Sequence, residues 1–157
     1  MTSADPKKQF FTVEEANQRL PLVRVIVSDI VNLFADVHER RQRLAEIREL
    51  PSVANRSTDN VYSEELDEMR RQLQQDNGRL DEFVRELLEL GAQLKDPSVG
   101  LIDFPTIIDG REALLCWKQG EDEIGYWHEK DAGFSGRQSL LQGSMSTDNE
   151  DDESGAQ

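Results

Sequence analysis

Between residues 23 and 47 the apolar positions advance in steps of three and four: Val23, Ile26, Ile30, Leu33, Val37, Leu44 and Ile47, with Arg40 as the one polar member of the row. That spacing keeps one side of an α-helix apolar, as in a heptad seam. After Ser63, a candidate N-cap, the steps return as Leu66, Met69, Leu73, Leu80, Phe83, Leu87 and Leu90, with Asp76 as the polar member. Gly91 then offers the left-handed conformation that closes a helix. Two helices of this length, each about 45 Å long at 1.5 Å rise per residue, should fold back on each other as an antiparallel pair. In the register that sets Ile30 against Leu87, Val37 against Leu80 and Leu44 against Leu73, Arg40 and Asp76 fall within one residue of a common layer. The two are expected to pair, since a lone charge in the seam is costly and a pair fixes the register.

Upstream, "FFTVEEANQRLP" reads as a helix start. Thr12 caps the exposed backbone N–H groups, and Glu15, three residues on, returns the bond as in a capping box. Pro21 either kinks this helix or takes the first position of a new one, leaving a short helix over residues 12–20. Residues 51–62 hold loop formers and no periodicity. After Gly91 the period shortens. "AQLKD", "GLIDFPTII", "REALLCWK" and "EIGYWHE" are short, rich in β-branched and aromatic residues, and separated by turn signals at residues 97–100, at Asp109-Gly110 and around Gly120. The expected fold class is α+β: a long, coiled-coil-like antiparallel helical hairpin followed by a small three- to four-stranded antiparallel β-meander. One face of that sheet should pack on the base of the hairpin, because so few strands do not stand alone. The organisation expected is a flexible N-terminus (1–9) and a single domain (10–138), then a disordered acidic tail (139–157). Within the domain, the hairpin takes 12–91, the meander 92–130 and a Gly/Arg loop 131–138.

Composition sharpens this picture. Hydrophobic residues make up 36% and charged residues 32% of the 157, a balance that suits long helices with solvated outer faces. The net charge is −14; without the tail acids Asp148, Glu150, Asp151, Asp152 and Glu153 it is still −9. Such a surface repels phosphate backbones, so general nucleic-acid binding is not expected. One cysteine excludes an internal disulfide. With no signal-peptide run and no membrane-length apolar stretch, the expected location is the cytoplasm. Leu20, Leu22, Val25, Val27, Val31 and Phe34 lie beside the main seam and give the first helix more apolar surface than one partner helix covers, so a homodimer is a further expectation.

"FTVEEANQRLP", "LGAQLKDPSVGLIDFP", "DGR", "LCWKQGE", "YWH" and "GFSGRQ" together resemble the bacterial family of domains of unknown function numbered 2203. The resemblance covers most of residues 10–138. It implies a helical hairpin followed by a small β element, and it implies no activity. The acidic tail lies beyond these motifs, and the loop at 51–62 has none to match.

Candidate chemistry gathers between residues 103 and 137. Cys116 and His128 sit on neighbouring expected strands, with Asp103 and Glu121 near in sequence, and zinc accepts such ligands. Against a metal stands the lack of any paired C-x-x-C or H-x-x-x-H; a lone cysteine in "LLCW" suits a small buried apolar group. Cys116 as a nucleophile with His128 as base, oriented by Asp103 or Glu121, has the residue types but lacks a setting that lowers the thiol pKa. "DAGFSGR" offers glycine backbone and Arg137 to an anion; the plainer reading makes the glycines a turn and pairs Arg137 with Asp103 or Glu121. Strand alternation sends Tyr126 and Trp127 to opposite faces, so at least one of the aromatics Phe104, Trp117, Tyr126, Trp127 and Phe134 should face away from the helices unless the Phe134 segment covers it. The tip of the hairpin, with Asp59 as its one acid, lacks the acidic cluster a magnesium-holding projection needs. The sequence therefore favours a binding or protein-interaction module without a cofactor. Its working surface would be the meander and the following loop, built from Asp103, Trp117, Glu121, Trp127, His128 and Arg137, and its partner an unknown protein or a small polar or anionic ligand. The alternative is a metal- or thiol-dependent enzyme using Cys116 and His128.

Overall fold

Thr12 opens the first helix as a capping box: its Oγ1 accepts from the Glu15 amide at 3.1 Å, and its own amide donates to Glu15 Oε1 at 3.0 Å. In the computed structural model, which describes residues 9–49 and 60–140, helix α1 then runs unbroken over Val13–Glu49. Pro21 lies inside it, so there is neither a separate short helix nor a restart at the proline. A mid-helix proline costs about 3 kcal/mol. Here Leu20, Val23, Ile26 and Val27 bury around it, and that burial outweighs the lost backbone bond. Helix α2 covers Asn60–Glu89, starting three residues ahead of the expected cap at Ser63. It ends in a Schellman motif: Ala92 N–H donates to Leu87 O at 2.9 Å and Gly91 N–H to Leu88 O at 3.0 Å, with Gly91 at φ +97°. The hairpin tip at residues 50–59, the first eight residues and the acidic segment at 141–157 lie outside the described residues.

The two seams meet as the register requires. Leu33, Val37, Leu44 and Leu73 form one buried cluster, with Leu66, Met69, Leu80 and Phe83 packed against it. Arg40 pairs with Asp76 across the layer, and Arg79 stands 3.7 Å from the other Asp76 oxygen. Among the described residues, no helix is long and apolar enough to cross a membrane.

Five strands follow, each antiparallel to its sequence neighbour: β1 (Gln93–Asp96), β2 (Leu101–Ile108), β3 (Arg111–Lys118), β4 (Tyr126–Glu129) and β5 (Gln138–Ser139). The fifth exceeds the three or four expected. It pairs Gln138 with Trp127 and Ser139 with Tyr126, extending the sheet into the segment read as the start of the tail. Asp109 (φ 53°) and Gly110 (φ 78°) make the tight β2–β3 turn, whose two central residues both need positive φ. Ile102, Phe104, Ala113, Leu115, Trp117 and Trp127 face Leu20, Val23, Val27, Ile30 and Leu87 to form the main core. Phe11 locks the corner. Its amide donates to Pro105 O at 2.8 Å, its carbonyl accepts from Thr106 Oγ1 at 2.6 Å, and its ring meets Phe104 edge-on at 5.1 Å. The sheet thus covers Leu20 and Val27, while Leu22 and Val25 on the same helix stay exposed.

Candidate functional site

Alternation along the strands sorts the candidate residues into two groups. Trp117 and Trp127 point toward the helices and belong to the core, with exposures of 1% and 9%. Their apolar area, expected at the working surface, lies instead under the helices, which take the sheet face with the largest apolar side chains. Asp103, Cys116 and His128 lie on the opposite, outer face. Cys116 stands directly across from Asp103 in the β2–β3 register, and His128 lies across from Leu114, one diagonal step from Cys116. Although this face turns away from the helices, all three side chains are buried.

The covering comes from the β4–β5 connection. Arg137 donates from Nε to Cys116 Sγ at 3.3 Å and forms two parallel bonds to Glu121, both 2.7 Å. Its guanidinium lies against the rings of Tyr126 and Phe134, 4.1 Å and 4.7 Å from their centroids. Glu121 also accepts from the Lys118 amide at 2.9 Å. Partial burial alone would raise the Glu121 carboxyl; the bonds from Arg137 and Lys118 override it and hold that carboxyl below its ordinary range. Of the two pairings open to Arg137, the one with Glu121 is formed. The Arg137 fork is committed to Glu121. The aromatic residues left exposed near it are Tyr126 (37%) and Phe134 (44%). Nothing in sequence spacing marked this contact of two rings with one arginine, because it arises from a cross-strand position and a turn that meet only in three dimensions.

Beneath Arg137 the polar groups are close. One ligand-capable atom from each of Asp103, Cys116 and His128 lies within 4.8 Å of the others. Burial pushes the Cys116 thiol up to about 11; the Asp103 charge adds to the rise and Arg137 opposes it. A thiol held protonated at neutral pH is a poor nucleophile, which weighs against covalent catalysis. The His128 ring is fixed from both sides, with Nδ1 2.7 Å from Glu129 O and Nε2 3.0 Å from Asp103 Oδ2. A carbonyl oxygen only accepts, so Nδ1 carries the hydrogen. Nε2 is aimed at the Asp103 Oδ2 carboxylate oxygen. The second Asp103 oxygen, Oδ1, is buried without a hydrogen-bond partner. The cluster brings a ring nitrogen, a thiol sulfur and carboxylate oxygens together in one buried volume.

Fold and site together define an α+β domain: a helical pair backed by a five-stranded antiparallel meander, with a buried Asp–Cys–His group on the outer sheet face. The model of the uncharacterized conserved protein family DUF2203 matches residues 9–140, and the chain belongs to that family. No curated protein and no solved structure matches it.

Proposed function

We propose that this chain is a binding module that holds a divalent transition metal of the zinc class through Asp103, Cys116 and His128. The observation that carries the reading is the approach of one ligand-capable atom from each of three buried side chains to within 4.8 Å of one another, with Asp103 Oδ1 buried and without a hydrogen-bond partner. A buried acceptor without a partner, as Asp103 Oδ1 is, costs about 1–3 kcal/mol. A cation between the three side chains engages nitrogen, sulfur and oxygen at once, which is the mixed donor set that zinc accepts. The bond from Nδ1 to the Glu129 carbonyl is the outer support that a metal-bound imidazole commonly has, since it fixes the ring and leaves Nε2 free to ligate. Ligand atoms around tetrahedral zinc would sit about 3.5 Å apart, so the Nε2–Oδ2 pair at 3.0 Å would open slightly while any longer separation, up to 4.8 Å, would close. The thiol proton leaves on binding.

The test is metal analysis of the purified chain after dialysis against Zn²⁺, together with thermal unfolding. About one ion per chain is expected, and Asp103→Asn, Cys116→Ser and His128→Ala should each abolish retention. Metal at about 100 times its Kd adds ~2.7 kcal/mol, a rise in Tm of about 5–10 °C for a chain of this size. Retention unaffected by these substitutions, or absent in the parent, overturns the reading. A second reading, a protein-interaction surface, is favoured by the exposed Tyr126 and Phe134 on the same face. Its test is a purified partner whose affinity falls in Tyr126→Ala.

A further inference from the structure

We infer that the Arg137–Glu121 pair is a latch that governs how fast metal enters and leaves the Asp103–Cys116–His128 site; this rests on the metal-holding reading above. The three side chains are sealed from solvent even though they occupy the sheet face that the helices do not cover: His128 is 4% exposed at its side chain and Asp103 2%, and Cys116 is wholly buried. The group seated on the Cys116 sulfur is Arg137, through Nε at 3.3 Å. Arg137 in turn belongs to the β4–β5 connection, residues 130–137. The turn bonds of that connection are local, from Ala132 to Glu129, from Gly136 to Gly133 and from Arg137 to Phe134, so they hold its shape and not its position.

The start of the connection is tied by Lys130 to Glu112 at 2.9 Å, and beyond its end Gln138 and Ser139 pair with β4 and the Leu140 amide donates to Gly125 O at 2.8 Å. Between these ends, what ties the connection over Cys116 is the Arg137 side chain: two parallel bonds to Glu121 anchor it, and the Tyr126 and Phe134 rings lie against it. Glu121 lies on the β3–β4 connection, so one ion pair ties together the two loops that flank the cluster. A metal reaching the Cys116 sulfur from the outer side of Arg137 has to displace Arg137. Lifting Arg137 breaks both bonds to Glu121 at a position where the two side chains are only 13% and 23% exposed, and partial burial makes that rupture slow. Arg137 and Glu121 themselves contribute no ligand. The pair therefore sets rates of exchange and leaves the ligand set unchanged.

The experiment uses the full chain loaded with one equivalent of Co²⁺, whose thiolate charge-transfer band reports the Cys116 bond. Excess EDTA is added by stopped flow and the decay of the band is followed in the parent, in Glu121→Gln and in Phe134→Ala. Glu121→Gln keeps the size of the side chain and removes its charge. Phe134→Ala removes one ring from Arg137 without touching the pair, and its extraction rate decides the matter should Glu121→Gln fail to fold. The expected result is an unshifted band in the loaded variants and extraction about tenfold faster than in the parent. Extraction within a factor of about two of the parent in the folded variants overturns the latch and leaves the metal site standing. Loss of the band in Glu121→Gln alone makes Glu121 a ligand, which also overturns the latch. A parent chain with no cobalt–thiolate band overturns the site and the latch together.

Discussion

Replacing Arg40 by alanine strands a buried carboxylate. The Asp76 side chain is 4% exposed in the α1–α2 seam, and its partner Arg40 is 39% exposed. A buried ion left without its partner costs about 3–5 kcal/mol. Two features lower that figure here. Arg79 stands 3.7 Å from the other Asp76 oxygen and supplies a second cation, and the exposure of Arg40 shows that water reaches one side of the pair. The expected cost of Arg40→Ala is therefore about 2–3 kcal/mol. Asp76→Leu behaves differently. It removes the charge that requires neutralising, and the freed guanidinium turns to water along its own stem, so the cost should stay below about 1 kcal/mol. Arg40→Leu combined with Asp76→Leu puts an apolar layer between Val37 and Leu44 on one helix and Leu73 and Leu80 on the other, and should match or exceed the parent in stability. Urea unfolding followed by circular dichroism gives each value, provided the m-value is unchanged. An Arg40→Ala variant within about 0.5 kcal/mol of the parent, or an Arg40→Leu cost that simply adds to that of Asp76→Leu in the double variant, would refute the reasoning.

Gly91→Ala should destabilise by about 2–4 kcal/mol, because its φ of +97° strains any side chain and the new Cβ would overlap the Phe11 ring; an unfolding midpoint close to that of the parent would count against the Schellman corner. Glu121→Gln should lose about 1–2 kcal/mol at neutral pH. The Glu121 carboxyl is held below its ordinary value of 4.5, so its contribution is complete above that value and fades as pH falls through the lower folded-state value. The gap between parent and variant should thus narrow in acid, and a gap that widens there contradicts the assigned sign. Cys116, with its thiol raised to about 11 by burial, should resist thiol reagents in the folded metal-free chain at pH 7 and react on unfolding in urea; rapid labelling of the folded chain would show that Arg137 does not seal it.

The row of threes and fours from Val23 to Ile47, its repeat from Leu66 to Leu90, the capping box at Thr12 and the turn at Asp109-Gly110 were legible in the sequence because each rests on contacts within a few residues or on one periodicity. Even the Arg40–Asp76 pair followed, since two helices packed in register leave little freedom in which layers meet. The candidate site was legible only in part. Residue types pointed to Asp103, Cys116 and His128, and strand alternation separated Tyr126 from Trp127. Which face the helices would take, and therefore that Trp117 and Trp127 would be buried in the core while the polar triad went outside, depended on the docking of α1 against the sheet. The fifth strand is two residues long and makes its bonds with β4, so it has no signature of its own. The seating of Arg137 on Cys116, the orientation of the His128 ring and the stranded Asp103 oxygen all join atoms from three strands and two loops. Local pattern determines which elements form, because backbone geometry repeats over a few residues. Tertiary structure decides which side chains share a buried volume, because that depends on how whole faces pack, and for this protein the buried volume is where the proposed chemistry lies.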